Sequence, residues 1–285
     1  LSEVQSQNYQ LVLLTYSLLV FDFGQEKMNH IISTLVAQFP VTLDIQHNLD
    51  VILSIISQAE PDTLLILPEG ALSGYAEDTK FLDEINQQFL AIALRKLQKA
   101  VAQSDIHLIF GSCLLENGKW YNASIYYGQR QKQFIYRKVN LATSERARFT
   151  AGSQLSLVEI DINGRSIKLG IQLCREIRFP EQWQYLARRG AEVFVYLTNA
   201  VGDATQAAIW RSHLISRAAE NQRFVLCANN AHAAQKCPSM IVTPTGSVAW
   251  EMYSPELEMK HYMIDLSTVS NWYLSQSRLD LFTPN

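Results

Sequence analysis

Three residues of this 285-residue chain stand where an apolar run gives way to a polar turn, and each can attack a carbon or move a proton. Cys174 ends the run in Leu169-Gly-Ile-Gln-Leu-Cys174-Arg-Glu-Ile-Arg-Phe-Pro-Glu181, where a strand hands over to a helix starting near Pro180. Proline favours the first helical turn and helix amino ends stabilise negative charge, which makes Cys174 a candidate thiolate nucleophile. Glu69 leaves the buried run of Asp62-Thr-Leu-Leu-Ile-Leu-Pro-Glu69-Gly-Ala-Leu-Ser-Gly-Tyr75, where desolvation would move a carboxyl toward the range useful to a general base. Lys138 closes Gln133-Phe-Ile-Tyr-Arg-Lys138-Val-Asn-Leu141. Each residue also has an ordinary reading. Cys174 could be a small buried hydrophobe, as Cys113, Cys227 and Cys237 are expected to be; Glu69 could cap amides of a Gly-rich turn; Lys138 could be a surface charge.

The order Glu69, Lys138, Cys174, each at a strand end, resembles the nitrilase (carbon-nitrogen hydrolase) superfamily and its Glu-Lys-Cys triad. The resemblance runs from about Ile31 to about Asp265 and takes in Tyr121-Asn122-Ala, Leu141, Phe149, Gly152 and Phe179-Pro180-Glu181. Arg217-Ala-Ala-Glu220-Asn221, Ala228-Asn229 and Ser239-Met-Ile-Val-Thr-Pro244-Thr-Gly246 extend it. It implies that Glu69 takes the thiol proton, that Cys174 attacks an amide or nitrile carbon, and that water hydrolyses the resulting thioester. Lys138 and the backbone N–H of Arg175 would stabilise the oxyanion. Position matching makes Glu145 a second active-site carboxylate that orients Lys138, against the alternative of a solvated partner for Arg146 or Arg148. Arg175 and Asn199 join it as supporting or substrate-binding positions. Arg217 and Glu220, three apart on an expected helix, read as a structural pair.

The elements that must hold these residues follow from periodicity. Asn48 reads as the cap of a helix through about Ser57, and Phe81 to Ser104 carries apolar residues at helical spacing. Asn117-Gly118 and Asn163-Gly164 each separate two strand-like runs and read as hairpin turns. Pro180 to Arg189 reads as a helix stopped by Gly190, Glu192 to Leu197 as a strand, and Ala204 to Gln222 as a longer helix before a strand at Phe224. Strands alternating with helices, plus hairpins, give an α/β fold with mixed sheets. The resemblance sharpens this to an αββα four-layer sandwich and implies a homodimer, often within a larger assembly.

Composition narrows the function classes. A net charge of −3 with scattered Lys and Arg offers no basic stripe for nucleic acid. There is no Gly-rich phosphate loop, His-Glu-x-x-His pair or Cys-x-x-Cys, so neither cofactor nor metal is indicated. Four cysteines without a framework suit a reducing cytoplasm. The run from Tyr9 to Phe23 is too short for a bilayer core of roughly 30 Å at about 1.5 Å per helical residue, and no basic segment precedes it. Residues 1–27 therefore read as an extension before a single domain over 28–285, with an added element at an oligomer interface as the alternative. The expected activity is thiol-dependent hydrolysis of a small carboxamide or N-carbamoyl compound. Arg175 and Arg178 could select a carboxylate on it, unless Arg178 pairs with Glu176 or Glu181. The competing readings are an inactive binding or scaffold protein, nitrile hydrolysis, and acyl transfer on the same triad.

Overall fold

Segments whose side chains are apolar on both faces become sheet centres, and segments that alternate become rims. Leu64–Ile66 and Val193–Thr198 are buried throughout, whereas Leu157–Ile162 alternates between buried and outward-facing positions. The computed structural model describes residues 30–129 and 132–278, so the expected extension over 1–27 lies outside the described residues. In chain order the first half holds β1 (Ile31–Gln38), α1 (Ile45–Ile56), β2 (Leu64–Ile66), α2 (Gln87–Ser104), β3 (His107–Glu116), β4 (Lys119–Tyr127) and β5 (Gln133–Arg137). The second half holds β6 (Leu157–Ile162), β7 (Arg165–Leu173), α3 (Pro180–Arg188), β8 (Val193–Thr198), α4 (Ala207–Asn221) and β9 (Phe224–Asn229). It closes with β10 (Ser239–Val242), β11 (Val248–Met252), β12 (Glu258–Asp265) and α5 (Trp272–Gln276).

The strands form two six-stranded sheets, ordered β12-β1-β2-β3-β4-β5 and β11-β10-β9-β8-β7-β6. In each, three central strands run parallel (β1, β2, β3 and β7, β8, β9) and the outer ones pair antiparallel. Ile66 and Ile109 of the first sheet meet Val195 and Leu226 of the second in one apolar core between the sheets. Helices α1 and α2 cover the outer face of the first sheet through Leu49, Ile52, Leu97 and Val101. Helices α3 and α4 cover the second through Trp183, Leu186, Trp210 and Leu214. The layers are thus helix, sheet, sheet, helix, as expected for an αββα sandwich. Both Asn-Gly dipeptides form the hairpin turns, with Asn117, Gly118, Asn163 and Gly164 all at positive φ.

Three local expectations are corrected. Asp44, not Asn48, caps α1: its side chain accepts from the Gln46 and His47 N–H groups. Asn48 lies inside the helix, buried, and its amide ties Thr42 and Leu72 to it. The helix expected from Phe81 is a 3₁₀ turn over Thr79–Asp83 followed by α2, which starts afresh with Asn86 as its cap. Arg178 pairs with neither glutamate; its guanidinium lies over the Trp210 ring and 3.3 Å from His213 Nε2.

Candidate active site

The exits of β2, β5 and β7 bring the three predicted residues together. Glu69 follows β2 in a loop laid against β3. Gly111 makes that close approach possible: a Cβ there would stand 2.5 Å from the Glu69 Cα and 2.4 Å from the Gly70 nitrogen. The loop is stitched down by Gly111 N–H to Pro68 O at 2.9 Å and Leu72 N–H to Gly111 O at 3.2 Å. Lys138 follows β5, its N–H donating to Asn122 O at 2.9 Å and its carbonyl accepting from Gly152 N–H at 2.8 Å. Cys174 follows β7 at the start of a 3₁₀ turn, Cys174–Arg178, with a φ of 41°. A non-glycine residue in this left-handed region costs on the order of 1–3 kcal/mol and persists only where its surroundings enforce it. Two bonds do so here: the Leu173 N–H donates to Glu176 Oε2 at 2.8 Å, and the Tyr196 hydroxyl donates to the Cys174 carbonyl at 2.6 Å.

Glu69, Lys138 and Glu145 are fully buried, and Cys174 is half-buried. Lys138 Nζ donates to Glu69 Oε1 at 3.1 Å and to Glu145 Oε1 at 2.9 Å. The Asn122 amide donates to the same two oxygens, at 2.8 and 2.7 Å. Glu145 Oε1 also accepts from the Tyr75 hydroxyl at 2.9 Å, and its Oε2 from the Ala142 N–H at 2.6 Å. Glu69 Oε2 accepts from the Asn199 N–H at 2.9 Å. Glu145 thus faces Lys138 and not the neighbouring arginines; Arg148 is paired with Asp83. Asn199 contributes its backbone N–H, while its side-chain oxygen accepts from Asn230. The Arg175 side chain is exposed and takes no part in these bonds, but its N–H sits in the first turn after Cys174, where helix donors lack partners. Arg217 and Glu220 pair at 2.9 Å away from this network, as expected of a structural pair.

The charges act on one another. Burial pushes the Cys174 thiol up to about 12; the Glu69 carboxylate adds to the shift, while Lys138 and the Thr198 hydroxyl oppose it. Such a shift favours the thiol over the thiolate at rest. Burial lowers the Lys138 pKa, but Glu69, Cys174 and Glu145 together outweigh it and carry it above the usual lysine value. For Glu145, burial favours the acid, and Lys138 with the Asn122 and Ala142 donors outweighs it, holding the carboxyl below its usual range. Burial, then the two carboxylates, keeps Tyr75 a protonated donor.

Asn122, Tyr75 and Glu176 carry weight that the sequence reading did not assign. A polar residue inside a buried apolar strand was the available signal for Asn122, because such groups need partners. Glu176, between two arginines, reads as a surface charge, yet it is fully buried. Among the described residues no three His, Cys, Asp or Glu side chains are grouped to hold a metal ion, and no helix is long and apolar enough to cross a membrane.

The family model "Carbon-nitrogen hydrolase" matches residues 34–273. An "(R)-stereoselective amidase" of Pseudomonas sp is 32% identical over 214 residues, which is 73% of this chain and 76% of that protein. A "2-oxoglutaramate amidase" of Bacillus subtilis is 32% identical over 197 residues, 66% of this chain and 73% of its own length. Among solved structures, a variant of the amidase from Nesterenkonia sp. AN1 is similar with a TM-score of 0.75 at 22% identity, over 88% of this chain and 95% of that one. Its active-site cysteine there carries the acetamide moiety of fluoroacetamide covalently. With the fold, the strand-end carboxylate, ammonium and thiol, and a family match over most of its length, this chain belongs to the carbon-nitrogen hydrolase family.

Proposed function

We propose that the protein hydrolyses the carbon-nitrogen bond of a small non-peptide carboxamide or N-carbamoyl compound through a thioester on Cys174. The observation that carries the assignment of roles is where the donors fall on the two carboxylates and which carboxylate bears on the thiol. A carboxylate offers about four lone-pair sites. Glu145 receives four donors, three on Oε1 and one on Oε2, whereas Glu69 receives three, two on Oε1 and one on Oε2. Each carboxylate keeps an oxygen with a single donor, but Glu69 acts on the Cys174 thiol more strongly than Glu145 does, which suits it to take the thiol proton, while Glu145 Oε1, with three donors, is committed to holding Lys138. Two of the three ammonium protons of Lys138 go to these carboxylates. The third is left for the substrate oxygen, alongside the Arg175 N–H.

The steps balance as follows. Glu69 takes the Sγ proton as Cys174 Sγ bonds to the carbonyl carbon, and the carbonyl electron pair moves onto an oxygen facing Lys138 and Arg175 N–H. The carbon-nitrogen bond then breaks as Glu69 returns the proton to the leaving nitrogen. Water, deprotonated by Glu69, attacks the thioester; the carbon-sulfur bond breaks as Glu69 passes that proton to Sγ, which restores the thiol and the Glu69 carboxylate and releases the carboxylic acid. Measuring ammonia release across amides, ureido acids and nitriles, with intact-mass trapping of the acyl-enzyme, tests the reading. Turnover without a mass adduct at Cys174 overturns it.

The finer assignments extend the same reading. The amidases named above support carboxamides over nitriles, and the acid-bearing name of the 2-oxoglutaramate enzyme supports a carboxylate on the substrate. Four free thiols support a cytoplasmic site. Exposed Tyr185 on α3 and Ile209 on α4 support a homodimer or larger assembly, which light scattering on the eluted protein measures. We also read 28–285 as the catalytic domain; a chain starting at Met28 that loses activity overturns that boundary.

A further inference from the structure

A polar strut joins the two sheets, and it is built on one side chain that the proposed chemistry does not use. Glu176 lies in the turn that follows Cys174 and is fully buried. Its Oε1 accepts from the Tyr136 hydroxyl at 2.8 Å, the Val139 N–H at 2.8 Å and the Asn140 N–H at 3.1 Å. Its Oε2 accepts from the Leu173 N–H at 2.8 Å. Three of these donors belong to the first sheet's β5 and the segment leading out of it, one residue before and two after Lys138. The fourth precedes Cys174 in the second sheet. The 3₁₀ turn that carries the acid is itself held by the Trp183 indole N–H, which donates to the Glu176 backbone carbonyl at 3.0 Å.

Apolar contacts between sheets are non-directional and tolerate sliding, whereas a carboxylate with four donors fixes both distance and angle. Burying an unpaired carboxylate is costly, so the donors and the acid specify one another. We propose that Glu176 is a positioning residue that sets the placement of Lys138 relative to Cys174 across the two sheets, so that the rate of acyl-enzyme formation depends on its carboxylate. The proposal rests on the thioester reading above and concerns the step that forms it.

Glu176→Gln keeps the shape but places an N–H donor against backbone N–H at whichever end the amide occupies. Displacements of a fraction of an ångström at reacting groups matter, and the expected result is a fall in kcat of about 10- to 100-fold with KM within about twofold. Alkylation of Cys174 by iodoacetamide, mapped by mass, slows in step. Tyr136→Phe removes one donor and leaves three, so it produces a smaller fall in kcat at unchanged KM. A purely structural role predicts instead a lowered Tm with wild-type kcat and alkylation rate per folded molecule. That result in Glu176→Gln overturns the proposal. Should Glu176→Gln not fold, an unchanged kcat in folded Tyr136→Phe does so. Cys174→Ala run alongside separates the two readings: activity without the thiol defeats the thioester mechanism, whereas an inactive Cys174→Ala with wild-type Glu176→Gln kinetics defeats only the positioning role.

Discussion

The first and second sheets have the same plan of three parallel central strands with antiparallel flanks, but their ends are stabilised by different physics where they meet at the site. The first sheet delivers Glu69, Lys138, Glu145 and Asn122 as an interlocked set, each buried, with the Lys138 ammonium and the Asn122 amide N–H groups both donating to the two carboxylates. The second delivers a single thiol on a residue at positive φ, held by backbone geometry and two hydrogen bonds. The charged end is rigid because removing any member leaves a buried partner unpaired. The thiol end is replaceable without such a penalty. Stability and turnover should therefore respond differently to substitutions on the two sides.

The largest expected effect is on the thiol side. Cys174→Ala should reduce turnover by more than about 10³-fold, as removal of a nucleophile does, with little change in denaturation midpoint. The same side should own the reactive thiol: iodoacetamide should label Cys174 ahead of Cys113, Cys227 and Cys237, which are fully buried. Equal labelling of all four cysteines would remove the distinction between the ends.

On the charged side, Lys138→Ala and Glu69→Gln should each lower kcat by about 10²–10³-fold, the size of a lost oxyanion donor or base. They should differ in stability. Lys138→Ala strands Glu69 and Glu145 without their shared cation and should cost ~3–5 kcal/mol in urea unfolding, whereas Glu69→Gln leaves a hydrogen-bonding amide and costs less. Comparable unfolding free energies for the two variants would show that the charges are not interlocked as described. Glu145→Gln should fall between them in unfolding free energy, and Tyr75→Phe, which removes one of the four donors to Glu145, should be the mildest at ~1 kcal/mol.

The smallest effect is alkaline. Burial raises the Cys174 and Cys113 thiols to about 12 from 9.0. A group protonated more firmly in the folded than in the unfolded chain adds stability below its unfolded pKa, and that share is lost as pH rises through its folded value. The urea midpoint should thus decline between pH 9 and 12, less steeply in Cys174→Ala. Identical slopes in the two proteins would mean that Cys174 titrates as it does in the unfolded chain.

The strand ends were legible because an ionisable or nucleophilic residue directly after an apolar run breaks a simple pattern. Both Asn-Gly turns were legible because positive φ restricts the choice of residue. Glu176 was not. Next to Arg175 and Arg178 it looks like part of a solvated turn, and only the approach of β5 from the other half of the chain converts it into a buried acceptor. Asn48 misled for a related reason. A side chain able to cap a helix can equally bond a distant loop, and Asp44 was four residues nearer the true start. Residues that meet partners across the sandwich are set by topology, which local spacing does not encode.

The pairing of β12 with β1 over Ile31–Gln38 has a consequence for how the chain is made. Strand β1 leaves the ribosome before the other described strands, while the neighbour that covers its edge is the last strand among the described residues. The Thr34 hydroxyl waits for the Tyr262 carbonyl, and the His30 carbonyl for the Leu266 N–H. During synthesis β1 is an open sheet edge, able to recruit any extended segment nearby. Contacts so far apart in sequence also form slowly. The first sheet is therefore sealed only after the second has been made, and chaperone dependence should be greatest in the interval before β12 emerges.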